Sequence, residues 1–188
     1  MKIYAGIGSR QTPPNTLALM KRVASRLAEL GWTVRSGGAV GADQAFEAGA
    51  LQVRGAVEVF LPWPGYNGYK KAALTAPSPE AIRLAADLHP AWSRLSSGVQ
   101  KLMGRNSHQI LGVNLNTPVA FVLCWTPDGA ESEAECGVET GGTGQAIRLA
   151  SRYGVPVFNL YRPDALSRLG DWLRQKGPES HDRAHAAK

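Results

Sequence analysis

Three glycine-bearing turns, each set between an apolar strand-like run and a helix-like run, constrain this chain more than any other feature. The first, Gly6-Ile7-Gly8-Ser9-Arg10, closes the run Lys2 to Ile7. The central one, Arg35-Ser36-Gly37-Gly38-Ala39-Val40-Gly41-Ala42-Asp43, joins Trp32-Thr33-Val34 to a helical run over Gln44 to Val53. The third, Gly141-Gly142-Thr143-Gly144, opens a helical run over Gln145 to Tyr153. Glycine lets the backbone approach a bound group closely. The following helix offers unpaired N–H groups and the positive end of its dipole, a ready site for an anion. The central turn lacks the Gly-Lys-Ser/Thr ending of a Walker A loop and the strict GxGxxG spacing. Taken singly, each turn is also readable as a tight connection with no ligand.

Together the turns say more. Strand-like and helix-like runs alternate, which predicts right-handed βαβ units. The expected fold is α/β, a Rossmann-like open and mostly parallel sheet with helices on both faces. In such sheets ligands sit beyond the carboxyl ends of the strands, where strand order reverses, so the three turns should share one pocket. Gly8, Ser9, Arg10, Ser36, Gly37, Gly38, Gly41, Asp43, Gly141, Gly142, Thr143 and Gly144 are accordingly candidate ligand-binding residues.

The first helix is marked by Leu17, Met20, Val23, Ala24, Leu27 and Leu30, with Asn15 or Thr16 as its cap after the Pro13-Pro14 loop and Gly31 as its stop. Ala56 to Leu61 reads as the third strand, Pro118 to Trp125 as the fourth and Val155 to Leu160 as the fifth. A closing amphipathic helix is expected over Ala165 to Lys176. Between the third and fourth strands the alternation breaks. Pro62-Trp63-Pro64-Gly65-Tyr66-Asn67-Gly68-Tyr69 is a rigid aromatic loop, followed by short helices over Lys70 to Leu74 and Pro79 to Leu88 and a longer one over Ser97 to Leu111. The expected organisation is one domain over 1–176 with 62–117 as an insertion. Residues 177–188, with His181 and His185, read as a polar, flexible tail.

No apolar run approaches a membrane span, and the amino terminus leads straight into a strand rather than a signal peptide. Cys124 and Cys136 have no metal spacing and fit a reduced, cytoplasmic setting better than a disulfide. The formal charge of +6 suits a nucleotide or nucleic-acid partner, although a mild surplus of Lys and Arg is commonly just solvated surface. Its distribution is more telling. The run 126–140 carries Asp128, Glu131, Glu133, Glu135 and Glu139 with no basic residue, whereas Lys70, Lys71, Arg83, Arg94, Lys101 and Arg105 precede it. Acidic residues that close to a phosphate turn oppose a continuous nucleic-acid track. That run invites Mg²⁺, but its spacing defines no oxygen-ligand cage, and neither a metal nor a cofactor is expected.

Asp43 is read as closing the central turn, capping its helix and meeting a ribose hydroxyl. Glu47, one helical turn on, is assigned to the helix dipole. Asp43 and Glu139 are the candidate carboxylates for catalysis, if any, or for ribose. Arg10 offers a guanidinium fork to an anion, or an ordinary salt bridge. Trp63 is either a stacking wall for a base or a packed flap. Arg105 and Asn106, mid-helix among apolar positions, require a partner if buried; a ligand phosphate or a second subunit is expected.

The run Ser36-Gly37-Gly38-Ala39-Val40-Gly41-Ala42-Asp43 resembles the SGxAxGxD loop of the DNA-processing protein A (DprA/Smf) Rossmann domain. Gly141-Gly142-Thr143-Gly144-Gln145-Ala146 with Val155-Pro156-Val157-Phe158-Asn159-Leu160 is similar to the second phosphate loop and following strand of the wider SLOG superfamily. Residues 1 to about 162 look like the compact DprA-like proteins of bacteriophages. The resemblance implies binding of a phosphate-containing, nucleotide-like small molecule, and for a phage protein the sensing or sequestering of a nucleotide signal in the host cytoplasm. It also implies two alternatives. One is an N-glycosidic hydrolase of the LOG type; here Gln145 stands where that pattern has Thr and Arg148 where it has its Glu. The other is a single-stranded DNA binder and recombination mediator. Weak single-stranded DNA binding and self-association into a homo-oligomer complete the expected partners.

Overall fold

A computed structural model describes residues 2–176; the expectations for the tail, His181 and His185 included, lie outside the described residues. Five strands form one all-parallel sheet in the order β3-β2-β1-β4-β5: β1 Ile3–Gly6, β2 Thr33–Ser36, β3 Val57–Val59, β4 Val122–Cys124 and β5 Val157–Asn159. The helices are α1 Pro14–Glu29, α2 Ala42–Gln52, α3 Pro79–Leu88, α4 Ser97–Leu111, α5 Thr143–Arg152 and α6 Ala165–Gln175. This is the open, Rossmann-like arrangement that the alternation predicts.

Two apolar layers follow from the alternation of side chains along each strand. Ile3, Ala5, Val122, Cys124 and Val157 face one way and pack with Leu88, Ile110, Leu111, Ala146 and Ile147 of α3, α4 and α5. Tyr4, Val34, Phe121, Leu123 and Phe158 face the other and meet Met20, Leu27, Phe46 and Leu169 of α1, α2 and α6. Phe121 is the hub of the second layer, with ring centroids 5.2 Å from Tyr4, 5.0 Å from Trp32 and 5.3 Å from Trp172. With both faces covered, the sheet places its working edge at the strand ends.

Two local expectations need correction. Helix α1 begins at Pro14 rather than after Asn15 or Thr16, because proline at the first helical position lacks only an N–H that would be unpaired anyway. Lys70 to Leu74 is not helical. Ala73 N–H donates to Val59 O at 2.7 Å and Leu61 N–H to Leu74 O at 2.9 Å, so the segment runs beside β3. β3 is an edge strand with unpaired backbone groups, and covering that edge outweighs a short helix exposed to water.

Residues 62–117 are the long connection from β3 to β4, which must pass over β2 and β1 to reach the far side of the sheet. They deliver α4 onto the sheet beside α5. Thr117 N–H donates to Leu111 O and Val119 N–H to Ile110 O, both at 2.9 Å, immediately before β4. The carboxyl end of α4 therefore lies at the amino edge of the sheet. Its earlier turns, through Leu102 and Arg105, lie at the carboxyl edge.

Candidate functional site

Strand order reverses between β1 and β4, and a cleft of about 350 Å³ opens there. That volume lies at the lower end of the range usual for small-molecule pockets. The turn after β1 supplies Ile7, Gly8, Ser9, Arg10 and Gln11. The central turn and α2 supply Ala39 and Asp43, and the start of α5 supplies Gly142, Thr143 and Ala146. One face of α4 forms the remaining wall with Leu102, Met103, Arg105, Asn106 and Gln109. These α4 positions recur at three- and four-residue spacing, which puts them on one side of the helix.

The central turn is closed by the protein itself. The Asp43 Oδ2 accepts from Gly37 N–H at 3.0 Å, Ala39 N–H at 3.3 Å and Arg105 Nη1 at 3.2 Å. Asp43 does not cap α2, whose N-cap is Gly41; it lies in the first turn and folds the loop back onto itself. Its other oxygen takes no hydrogen bond among the described residues. Burial pushes the Asp43 carboxyl above the ordinary aspartate range, against the opposing pull of Arg105 and the two backbone N–H groups.

Arg105 thus has a partner within the chain. Its guanidinium fills the space over Gly37, where a Cβ would stand 1.4 Å from Nη1. Gly37 is required by this arginine, and neither Gly37 nor Gly38 is among the residues lining the cleft. Gly38 has a φ of +64° and would press a Cβ to 3.0 Å from the Tyr69 ring. Asn106 donates from Nδ2 to Gly142 O at 3.0 Å and ties α4 to the start of α5.

A second buried carboxylate lies behind the turn. Glu47 accepts from the Ser36 hydroxyl and, at 2.5 Å, from the Tyr69 hydroxyl. Burial raises the Glu47 carboxyl above its ordinary range, against those hydrogen bonds. Asn67 donates to Gly38 O at 2.8 Å, so the aromatic loop is strapped across the back of the turn. Glu47 is therefore a structural anchor, a role that helix-dipole reasoning does not reveal. Ser36 is committed to it and lies outside the cleft lining, as does Gly41.

Other candidates are also displaced. Trp63 packs edge-on against Tyr66 with centroids 5.0 Å apart and is not part of the cleft. Gly141 and Gly144 flank the lining residues without joining them. Glu139 is exposed and outside the lining. Neither candidate carboxylate is set up as an unencumbered acid or base, since Asp43 is bound to Arg105 and Glu139 stands elsewhere.

The acidic run is not left uncompensated. Glu133 pairs with Arg152 at 2.9 Å, Glu135 with Arg162 at 2.8 Å and Glu131 with Arg168 at 2.7 Å. Asp128 accepts from the Thr140 hydroxyl. The arginines come from α5, α6 and the loop after β5, so the fold brings basic partners to Glu131, Glu133 and Glu135, while Glu139 has no ion pair among the described residues. Among the described residues no group of three or more His, Cys, Asp and Glu is gathered to hold a metal ion. No described helix is long and apolar enough to cross a membrane.

What the fold leaves uncommitted is on the other walls. Arg10 is exposed and makes no ion pair among the described residues. The Ser9 hydroxyl oxygen accepts from Gln11 N–H at 3.1 Å, and its proton is free to donate. Among the described residues Gln109, 1% exposed, has no partner for its Nε2, and buried Arg105 has none for its Nε. Gln109 is the residue that sequence reasoning missed. Its signal was the i, i+3 and i+4 recurrence with Arg105 and Asn106.

The fold defines an open, doubly wound α/β protein with a cleft at the strand-order reversal. Residues 1–73 match the family model described as DNA recombination-mediator protein A. The chain is thus DprA-like over β1, α1, β2, α2, β3 and the strapped loop, a span that includes the first two glycine turns. No curated protein matches the chain.

Proposed function

We propose that the protein binds a phosphate-bearing, nucleotide-like small molecule in the cleft between the carboxyl ends of β1 and β4. The observation that carries this reading is the contrast within the cleft lining. Asp43 and Arg105 pair with each other, while Arg10 and the Gln109 amide nitrogen border the same cavity with no protein partner among the described residues. Arg10 and the start of α5 suit a phosphate, and the free Asp43 oxygen suits a ribose hydroxyl. Binding without turnover fits a sensor or sink for a nucleotide signal.

A second reading is single-stranded DNA, favoured by the family match over residues 1–73. Pairing of Glu131, Glu133 and Glu135 with arginines weakens the electrostatic objection to it. Calorimetric titration with nucleoside mono- and diphosphates and with a short oligonucleotide, at low and physiological salt, separates the two. The proposal expects salt-tolerant binding of a mononucleotide, recovered intact on denaturing the complex. Oligonucleotide binding that persists at physiological salt, with no mononucleotide binding, overturns it in favour of DNA.

A further inference from the structure

We infer that the ligand enters base first, with the Gln109 carboxamide on the cleft floor reading the edge of a nucleobase and the phosphate remaining at the mouth. This inference rests on the nucleotide-binding reading above and adds the ligand's orientation and a specificity-determining residue.

The cleft has a polar gradient with depth. α4 runs from the carboxyl edge of the sheet towards the amino edge, so Leu102 stands near the mouth and Gln109 about two turns further in. Arg10 and Gly142, the latter at the start of α5, both line the cleft and are both exposed, which marks them as its mouth. Gln109, at 1% exposure, is among the most deeply buried lining residues, in company with Ile7 and Ala146.

A phosphate does not belong at that depth. The deep cation, Arg105, is already held by Asp43 at 3.2 Å, and a phosphate driven in beside that carboxylate would bring two anions together in a desolvated site. A neutral base edge meets no such opposition. A carboxamide offers one donor face and one acceptor face side by side, the complement of adjacent acceptor and donor atoms on a nucleobase. The Nε2 of Gln109 lacks an acceptor among the described residues, and a base supplies one. Met103 and Ile7 supply apolar surface to the same cavity. With the base inward and the phosphate outward, a longer strand would be admitted only by a terminal or extruded nucleotide.

The test compares four probes by calorimetry on the full chain: a nucleoside monophosphate, the corresponding nucleoside, ribose 5-phosphate and inorganic phosphate. The nucleoside monophosphate series covers all common bases. The inference expects ribose 5-phosphate to bind at least tenfold more weakly than the best nucleotide, and the nucleoside to retain binding that is insensitive to salt. Gln109→Leu, which keeps bulk and removes the amide, is expected to erase most of the preference among bases while leaving ribose 5-phosphate unchanged. Ribose 5-phosphate binding as tightly as every nucleotide overturns the base-first orientation but leaves the nucleotide-site reading standing. An unchanged base preference in folded Gln109→Leu removes that residue as the reader. Absence of binding by all four probes overturns both the orientation and the reading beneath it. If Gln109→Leu fails to fold, the probe series on the unaltered protein still decides the orientation.

Discussion

The central glycine turn and the rest of the cleft lining contain similar chemistry and use it in opposite ways. Around Gly37 and Gly38, Asp43 holds Arg105, Glu47 holds Ser36 and Tyr69, and Asn67 holds the Gly38 carbonyl. Elsewhere in the lining, Arg10 and the Gln109 amide nitrogen have no protein partner among the described residues. A turn rich in glycine is thus not by itself a turn that meets a ligand. Here the missing side chain makes room for the protein's own guanidinium, and the proposed recognition falls to groups left unsatisfied among the described residues.

The sharpest way to break this contrast is Arg105→Ala. It leaves Asp43 buried beside an empty space, and losing one member of a buried pair costs about 3–5 kcal/mol. Urea denaturation followed by circular dichroism should register that loss; a change below about 1 kcal/mol would mean that the pair does not organise the turn.

Gly37→Ala probes the same contact from the other side. Its Cβ would overlap the Arg105 guanidinium, and overpacking of this kind costs about 1–3 kcal/mol. In the background of Arg105→Ala the same substitution should be much milder, since the obstructing group is gone. Equal penalties in both backgrounds would show that backbone geometry, not the arginine, demands glycine there.

Tyr69→Phe removes the hydroxyl that donates to Glu47 and should destabilise by about 1 kcal/mol. Ligand affinity should change little, because the strap lies behind the turn. A tenfold loss of affinity with stability unchanged would move the aromatic loop into the site.

How much of this was legible in the sequence depends on range. The strands and layers were, because Ile3, Tyr4 and Ala5 alternate faces locally and Met20, Ala24 and Leu27 recur at helical spacing. Convergence of the β1 and β4 turns followed from topology alone. The Arg105–Asp43 pair spans 62 positions, and nothing local tells Arg105 that its partner is a carboxylate of this chain rather than a phosphate. The Lys70 to Leu74 segment failed for the same reason: the open edge of β3 decides its conformation. The acidic run looked repulsive because Arg152, Arg162 and Arg168 come later in the chain.

α4 also carries a buried titratable group away from the cleft lining. His108 accepts from Ser78 N–H at Nε2, 3.1 Å, and contacts Gly112 O through Nδ1 at 2.9 Å. Burial lowers its pKa below the ordinary 6.5, against the hydrogen bond to Gly112. A depressed histidine contributes stability above the unfolded value, and this is lost as the pH falls through the folded one. Stability should therefore decline below about pH 6.5, and His108→Gln should flatten that part of the profile. An unaltered pH dependence in the variant would assign the decline to other groups. The smallest effect is expected for Trp63→Ala, which should leave nucleotide affinity within about twofold, near the noise of calorimetry, because Trp63 packs on Tyr66 outside the cleft.

The central claim is that recognition belongs to the uncommitted walls and not to the Gly37-Gly38 turn. Backbone amide chemical-shift mapping during titration with a nucleoside monophosphate tests it most directly. The account predicts that the largest perturbations cluster at 8–11, 105–109 and 142–146, with 36–38 and 63–69 little changed. Perturbations concentrated at Gly37, Gly38 and the 63–69 loop, with 142–146 silent, would contradict it.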